Sequence, residues 1–145
     1  AKSKAVTGKS LDLYIQGRLG LVIDSTARDV LKIYTGLAAL KRLGYECHMI
    51  FVNTSLDVAL ARNAMRPRKV PIDIVKKSHA EIQQNMGKLQ MLFGMKNFYV
   101  IDNNKANDDI LAKAYKMVAR IVKKPITNRT AKMWMRKELE KRRAK

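Results

Sequence analysis

The sequence predicts an α/β fold built on a parallel sheet, and three observations carry that reading. Leu21-Val22-Ile23, Met49-Ile50-Phe51-Val52 and Phe98-Tyr99-Val100-Ile101 are short continuous apolar runs rich in β-branched and aromatic residues. That is the pattern of strands buried on both faces. Between and after them the apolar residues recur at 3–4 spacing, the period of amphipathic helices. Each run closes on a polar residue, Asp24, Asn53 or Asp102, followed by more small polar ones. Strands alternating with helices of this length form βαβ units, which pair in parallel through right-handed crossovers. The expected architecture is three-layered, a parallel sheet between flanking helices.

Taken in order, the residues before Leu19 read as a basic lead-in. Within it, Thr7-Gly8-Lys9-Ser10 imitates the end of a phosphate-binding loop, but that motif needs a glycine where Ser3 stands and a strand before it. Residues 19–24 form the first expected strand. Ser25 or Thr26 then caps a helix with Val30, Ile33, Leu37 and Leu40 on one face, stopped by Gly44. Residues 47–53 form the second strand. Ser55 caps a helix through Leu56, Leu60 and Asn63 that Pro67 must end. Pro71 opens the cleanest helical pattern of the chain, Ile72, Val75, His79, Ile82, Met86, Leu89 and Phe93, with Gly94 as its stop. Residues 98–102 form the third strand. Asn107 opens a helix whose apolar side (Ile110, Leu111, Ala114, Tyr115, Val118, Ile121, Val122) opposes Asp108, Lys113, Lys116, Arg120 and Lys124. Residues 127–143 read as a separate basic helix with Trp134 as its one large anchor. The organisation is a domain over residues 1–124 and a basic helical tail over 125–145.

Composition narrows the function. A chain of 145 residues suits one domain, and 47% hydrophobic with 29% charged residues excludes wholesale disorder. The lone Cys47 excludes a disulfide within the chain and suits a reducing cytosol. No apolar run is long enough to span a membrane, and the first residues lack the apolar stretch of a signal peptide. Cys47, His48 and His79 do not have zinc-site spacing, and no nucleophile elbow is present. The unusual quantity is charge: 30 basic against 12 acidic residues give +18. Residues 21–60 are neutral, whereas residues 101–145 hold fourteen basic and five acidic side chains. A segregated excess of this kind predicts a polyanionic partner.

Two constellations carry chemistry. Parallel strands bring their C-terminal ends to one sheet edge, where ligands bind. Asp24, Thr26, Asn53, Asp102 and Asn103 are thereby delivered to a single edge, together with helix N-termini and their free N–H groups. Arg62 and Arg66 share a helix face and Arg68 follows across Pro67, at a junction constrained by two prolines. Guanidinium groups so placed suit bidentate phosphate contacts and the charge on a transferring phosphoryl group.

These residues resemble a family. Residues 21–29, Leu-Val-Ile-Asp-Ser-Thr-Ala-Arg-Asp, then Phe51-Val52-Asn53-Thr54-Ser55, then residues 62–71, Arg-Asn-Ala-Met-Arg-Pro-Arg-Lys-Val-Pro, are similar to the later part of P-loop kinases. The type is that of the zeta-toxin and polynucleotide-kinase-like enzymes, including versions carried by tailed bacteriophages. The resemblance covers about residues 11–104. It implies a P-loop kinase-like fold, ATP and Mg²⁺ as cofactors, and a nucleotide edge at Asp24, Thr26, Arg28, Asn53, Asp102 and Asn103. It makes Arg62, Arg66 and Arg68 lid residues that clamp the transferred phosphate, and gives Asp24 a role toward magnesium through water. The family's Walker A motif and first strand are not found in these 145 residues. The resemblance therefore implies a portion of a phosphotransferase acting on a nucleotide, a nucleic-acid end or a sugar-nucleotide hydroxyl. On that reading the chain is inactive by itself, completed by a missing N-terminal segment or a partner chain, and located in a host cytoplasm or a virion. The alternative is a non-catalytic basic module, nucleic-acid-binding or virion-associated. For either, the tail residues Arg129, Lys132, Arg136, Lys137, Arg142 and Arg143 are the expected nucleic-acid contacts, gripping phosphates without sequence preference.

Overall fold

Two of the three apolar runs pair. The computed structural model describes residues 2–105 and 108–144, so Asn107, the expected opener of the fourth helix, lies outside the described residues. Met49–Asn53 (β1) and Phe98–Asp102 (β2) run parallel, with Met49 opposite Phe98 and Asn53 opposite Asp102. Both strands therefore end at the same edge. The chain crosses from one to the other through α3 (Leu56–Met65) and α4 (Ile72–Phe93). One sheet face presents Met49, Phe51 and Phe98 to the α4 stripe of Ile82, Met86, Leu89 and Phe93. Leu89 is fully buried there, and the Phe51 and Phe98 rings lie 6.0 Å apart between centroids. Side chains alternate across a strand, so Tyr99 and Ile101 point the other way. There α5 (Asp108–Val122) packs on β2, and Lys124, just past its end, donates to the Tyr99 hydroxyl at 3.3 Å.

The broad three-layer sheet expected from the sequence is not formed among the described residues; the protein is helix-rich with a two-stranded sheet. Residues 21–24, the expected first strand, have no strand partner among the described residues, and Val22 is fully exposed. The polar flanks of α4 give the physical reason. At about 100° per residue, His79 and Gln83 lie on one side of the apolar stripe and Glu81 and Asn85 on the other. His79 Nε2 donates to the Thr54 carbonyl and Gln83 Nε2 to Asn53 Oδ1, each at 2.8 Å. On the opposite flank Asn85 Nδ2 donates to the carbonyls of Ala27 (3.2 Å) and Arg28 (2.8 Å), and Arg28 Nε donates to Glu81 Oε2 at 2.8 Å. The end of β1 and the turn after residue 24 are thus held a helix width apart, about 10 Å. Paired strands need about 4.8 Å. An apolar run becomes a strand only where a neighbour offers its N–H and C=O groups at that spacing, and here none does.

Two local expectations also change. α2 (Val30–Arg42) is capped by Asp29, whose carboxylate accepts from the Lys32 N–H at 2.9 Å, rather than by Ser25 or Thr26. Ser25 instead accepts from the Ala27 N–H at 3.2 Å, helping to hold a buried alanine at φ +57°, a backbone region that costs a non-glycine residue about 1 kcal/mol or more. The basic lead-in is a helix, α1 (Lys2–Gln16). Gly8, Lys9 and Ser10 fall inside it, where helical N–H groups face carbonyls four residues back and cannot cradle a phosphate.

The tail is α6 (Arg129–Arg143), capped by Asn128, whose Oδ1 accepts from the Ala131 N–H at 3.2 Å. It is tied to the rest of the chain at three points. Glu46 Oε1 accepts from the Thr127 hydroxyl (2.7 Å), the Thr127 N–H (2.9 Å) and the Asn128 N–H (3.2 Å). Gly44, at φ +96°, lets Ala131 approach so closely that a Cβ there would sit 2.7 Å from the Ala131 nitrogen. The Arg18 guanidinium lies 6.0 Å from the centroid of the Trp134 ring, within cation–π range. The hydrogen bonds from Thr127, the hydroxyl foremost, hold the Glu46 carboxyl below the ordinary carboxylate range. A depressed folded-state value gives stability that is present above the unfolded value and lost as pH falls through the folded one. Acidification below the ordinary carboxylate range is therefore expected to release the start of α6, read by the fluorescence of Trp134, the one tryptophan of the chain. Glu46→Gln should remove that acid transition; an identical transition in the variant would show that Glu46 does not control it.

Candidate functional site

The shared strand edge is organised by its own side chains. Asn103 N–H donates to the Asn53 carbonyl at 2.8 Å, extending the parallel ladder one step beyond the strands. Asp102 Oδ1 accepts from the backbone and the side-chain amide of Asn104 at 3.0 and 2.6 Å. Asn104 Oδ1 in turn accepts from the Ser55 N–H at 2.7 Å, at the entry to α3. The two strand ends are thereby locked to each other. Asp102 keeps an oxygen with no hydrogen-bond partner among the described residues, and its side chain is exposed.

The arginines stand above this edge. His79 is the eighth residue of α4 and touches Thr54 at the end of β1. The seven residues before it therefore project about 10 Å beyond the edge at 1.5 Å each. α3 leaves from the same edge and packs on α4, so the pair forms an overhang whose crest is the 66–71 turn. Arg62 lies in the last turn of α3, half-buried, while Arg66 and Arg68 are exposed on the crest. Among the described residues none of the three side chains makes an ion pair or hydrogen bond, so their guanidinium groups remain available to an anion.

The crest is shaped by a residue whose role the sequence reading missed. Asn63, buried at 8% exposure, donates from Nδ2 to the Val70 carbonyl (2.7 Å) and accepts on Oδ1 from the Val70 N–H (3.0 Å). One amide thus satisfies both backbone groups of Val70 and closes the loop that carries Arg66 and Arg68. Asn63→Ala removes both of these hydrogen bonds, a loss of about 1–3 kcal/mol. Chemical denaturation should show that loss, with proteolysis newly directed to residues 64–71; unchanged stability and protection would mean the clamp holds nothing.

The sequence-predicted edge residues divide into two groups. Asn53, Asp102 and Asn103 are brought together. Asp24, Thr26 and Arg28 belong to a second segment that α4 holds on its other flank, with Asp24 and Thr26 exposed and Arg28 committed to Glu81 at 2.8 Å. His79, Gln83, Glu81, Asn85 and Asn104 act as positioning residues that the sequence reading did not assign. The spacing of 79, 83 and 81, 85 beside the apolar stripe was the available signal, since polar residues flanking a buried helix face are placed to bond what packs beside it.

The same residues bear on Mg²⁺-ATP. Among the described residues, no three His, Cys, Asp or Glu side chains cluster to hold a metal ion. Mg²⁺ does not need such a cage: it binds through one or two carboxylates, waters and the phosphates of its nucleotide. The exposed carboxylates of Asp24 and Asp102 fit that mode, and the unpaired side chains of Arg62, Arg66 and Arg68 fit a triphosphate. Bound there, the ion would neutralise phosphate charge.

With this geometry in place, comparison with known proteins gives one match: a profile of the zeta toxin family aligns with residues 1–114. No curated protein and no solved structure matches the chain. No described helix is long and apolar enough to cross a membrane.

Proposed function

The chain belongs to the zeta toxin family, which is P-loop kinase-like, and on that premise we propose that it supplies the lid and the nucleotide edge of an ATP-dependent phosphotransferase. The acceptor is a hydroxyl of a nucleotide, a nucleic-acid end or a sugar nucleotide. The observation that carries the proposal is the overhang, three arginines whose side chains have no partner among the described residues, projecting over an edge where two strands end in Asn53 and Asp102. In the reaction the bond from the γ-phosphorus to the oxygen of the ADP leaving group breaks as the acceptor oxygen bonds to phosphorus. Arg62, Arg66 and Arg68 neutralise the charge on the equatorial oxygens. Asp24 would help hold the nucleotide's magnesium through water, and Asn53 and Asn103 line the edge.

The phosphate loop, and the base that takes the acceptor's proton, are assigned to residues outside these 145, in an N-terminal segment or a partner chain. The helix width that separates the two segments, about 10 Å, supports this, because it is about twice the strand spacing and leaves room for one strand. Such a strand would pair with the free edge of β1 and turn residues 21–24 into the strand their sequence favours. The chain alone is accordingly expected to show negligible ATP turnover, since the backbone N–H cradle for the phosphates is not in it. Robust Mg²⁺-dependent turnover by the purified 145 residues, abolished by Asp24→Asn, would overturn this assignment.

A second reading concerns α6, which lies beyond the family match. Arg129, Lys132, Arg136, Lys137, Arg142 and Arg143 are all exposed and, among the described residues, make no ion pair. Docked as it is through Ala131 and Trp134, the helix presents a basic surface suited to phosphate backbones.

A further inference from the structure

The structure places a second basic surface beside the first, on an element that the charge pattern did not single out. A groove of about 420 Å³ runs between β2 and α5, lined by Tyr99, Met117 and four cations, Lys113, Lys116, Arg120 and Lys124. Among the described residues, no acidic side chain lines it. Lys113 is paired with Asp109 at 3.1 Å and Lys124 is tied to the Tyr99 hydroxyl. Lys116 and Arg120 are exposed and have no partner among the described residues. At spacings of three and four residues, Lys113, Lys116 and Arg120 share one side of α5, and Lys124 follows just past its end.

A second depression lies close by along the chain. Thr127, Arg129, Lys132, Met133 and Arg136 line a depression of about 490 Å³ at the start of α6. Only residues 125 and 126 separate the two linings, so Lys124 and Thr127 stand within about 11 Å of each other along the chain. The Glu46 contacts fix that linker to the domain. Two cationic depressions on either side of a linker pinned by Glu46 offer an extended track to one polyanionic strand.

We infer that this track binds the phosphodiester backbone of a nucleic-acid strand, laid across the first turns of α6 and along α5. The inference rests on the reading of α6 as a phosphate-binding helix and extends it to α5. Direction follows from topology. α5 leaves the sheet edge near Asp102–Asn104 and ends where Lys124 reaches Tyr99, near the start of β2. A strand entering at α6 and following α5 from Lys124 toward Lys113 therefore climbs toward the candidate site. The track reads charge and carries no base-edge contacts, so the sequence of the strand is indifferent.

The test uses the full chain and a labelled oligothymidylate strand, with affinity measured across a salt series. Lys116→Gln with Arg120→Gln removes the two unpaired cations of α5, and Lys132→Gln with Arg136→Gln does the same on α6. All four side chains are exposed, so thermal melting should be unchanged and serves as the folding control. Each pair is expected to reduce the slope of log affinity against log salt by about 1.4, at about 0.7 per phosphate contact on a single strand. If the α6 pair reduces the slope and the α5 pair does not, the track fails while the reading of α6 stands. If neither pair changes it, both fail. Binding to phosphatidylserine vesicles without binding to the strand would likewise overturn both, by making the surface a lipid-headgroup site.

Discussion

Replacing Arg66 and Arg68 together by alanine is expected to lower kcat for phosphate transfer by about a hundredfold or more, in a form of the enzyme that includes its phosphate loop. Affinity for Mg²⁺-ATP should change far less. The asymmetry follows from position: the 66–71 crest stands over the strand edge with both guanidinium groups unpaired, so their strongest contact forms when charge spreads over the transferring phosphoryl group. An arginine that merely held ATP would raise KM and leave kcat alone. Steady-state kinetics paired with equilibrium binding separates the outcomes, and equal losses in both would reduce the crest to a binding element. Arg62, half-buried in the last turn of α3, is expected to give the smaller effect of the three.

Leu89→Ala should be the most damaging single change to the fold. Only Ala27, Leu37, Phe51, Leu89, Phe98 and Ile101 are buried apolar residues among those described, and Leu89 alone is wholly enclosed. It sits where α4 meets Phe51, Phe98 and Ala27, so its removal opens a cavity between the helix, the sheet and the 25–28 turn at once. Truncating a leucine in such a place costs about 2–5 kcal/mol, a large part of the 5–15 kcal/mol available to a typical domain. Thermal melting should fall by on the order of 10 °C. A shift of a degree or two would mean that the core lies elsewhere. Leu111→Ala, at an exposed position of α5, provides the contrast and should change little.

The sequence reveals those parts of the fold in which one segment decides its own state. The α4 stripe from Val75 to Phe93, its stop at Gly94 and the opening at Pro71 were all readable, because helical periodicity and helix ends are local properties. β1 and β2 were readable because their neighbours, α4 and α5, come from the same chain and bury them. Residues 21–24 carry as strong an apolar run, yet strand formation depends on a partner edge that no sequence window contains. α1 is not legible because Val6, Leu13 and Tyr14, all exposed, make a weak stripe, and Thr7, Gly8 and Ser10 are poor helix formers.

The candidate site was legible in the same uneven way. Asn53, Asp102 and Asn103 meet because the parallel register dictates it, and the arginine crest could be located from Pro67 and Pro71. The residues that hold these parts in place could not be assigned. Asn63, His79, Gln83 and Asn85 act through contacts 7 to 58 residues away in the chain. A polar residue on a helix flank announces that it will bond something but not what. Gly44 makes the same point for the tail, since its need for a missing Cβ arises from Ala131, which only the folded chain brings near.

The most direct test of the account is transfer of labelled γ-phosphate from Mg²⁺-ATP to an acceptor hydroxyl. It should be followed for the 145-residue chain alone and for the same chain joined to a strand and phosphate loop of a zeta toxin family member. The account predicts label transfer only in the joined form, and its loss when Arg66 and Arg68 are replaced by alanine. Equal labelling by both forms, or labelling in the joined form that is indifferent to the two arginines, would contradict it.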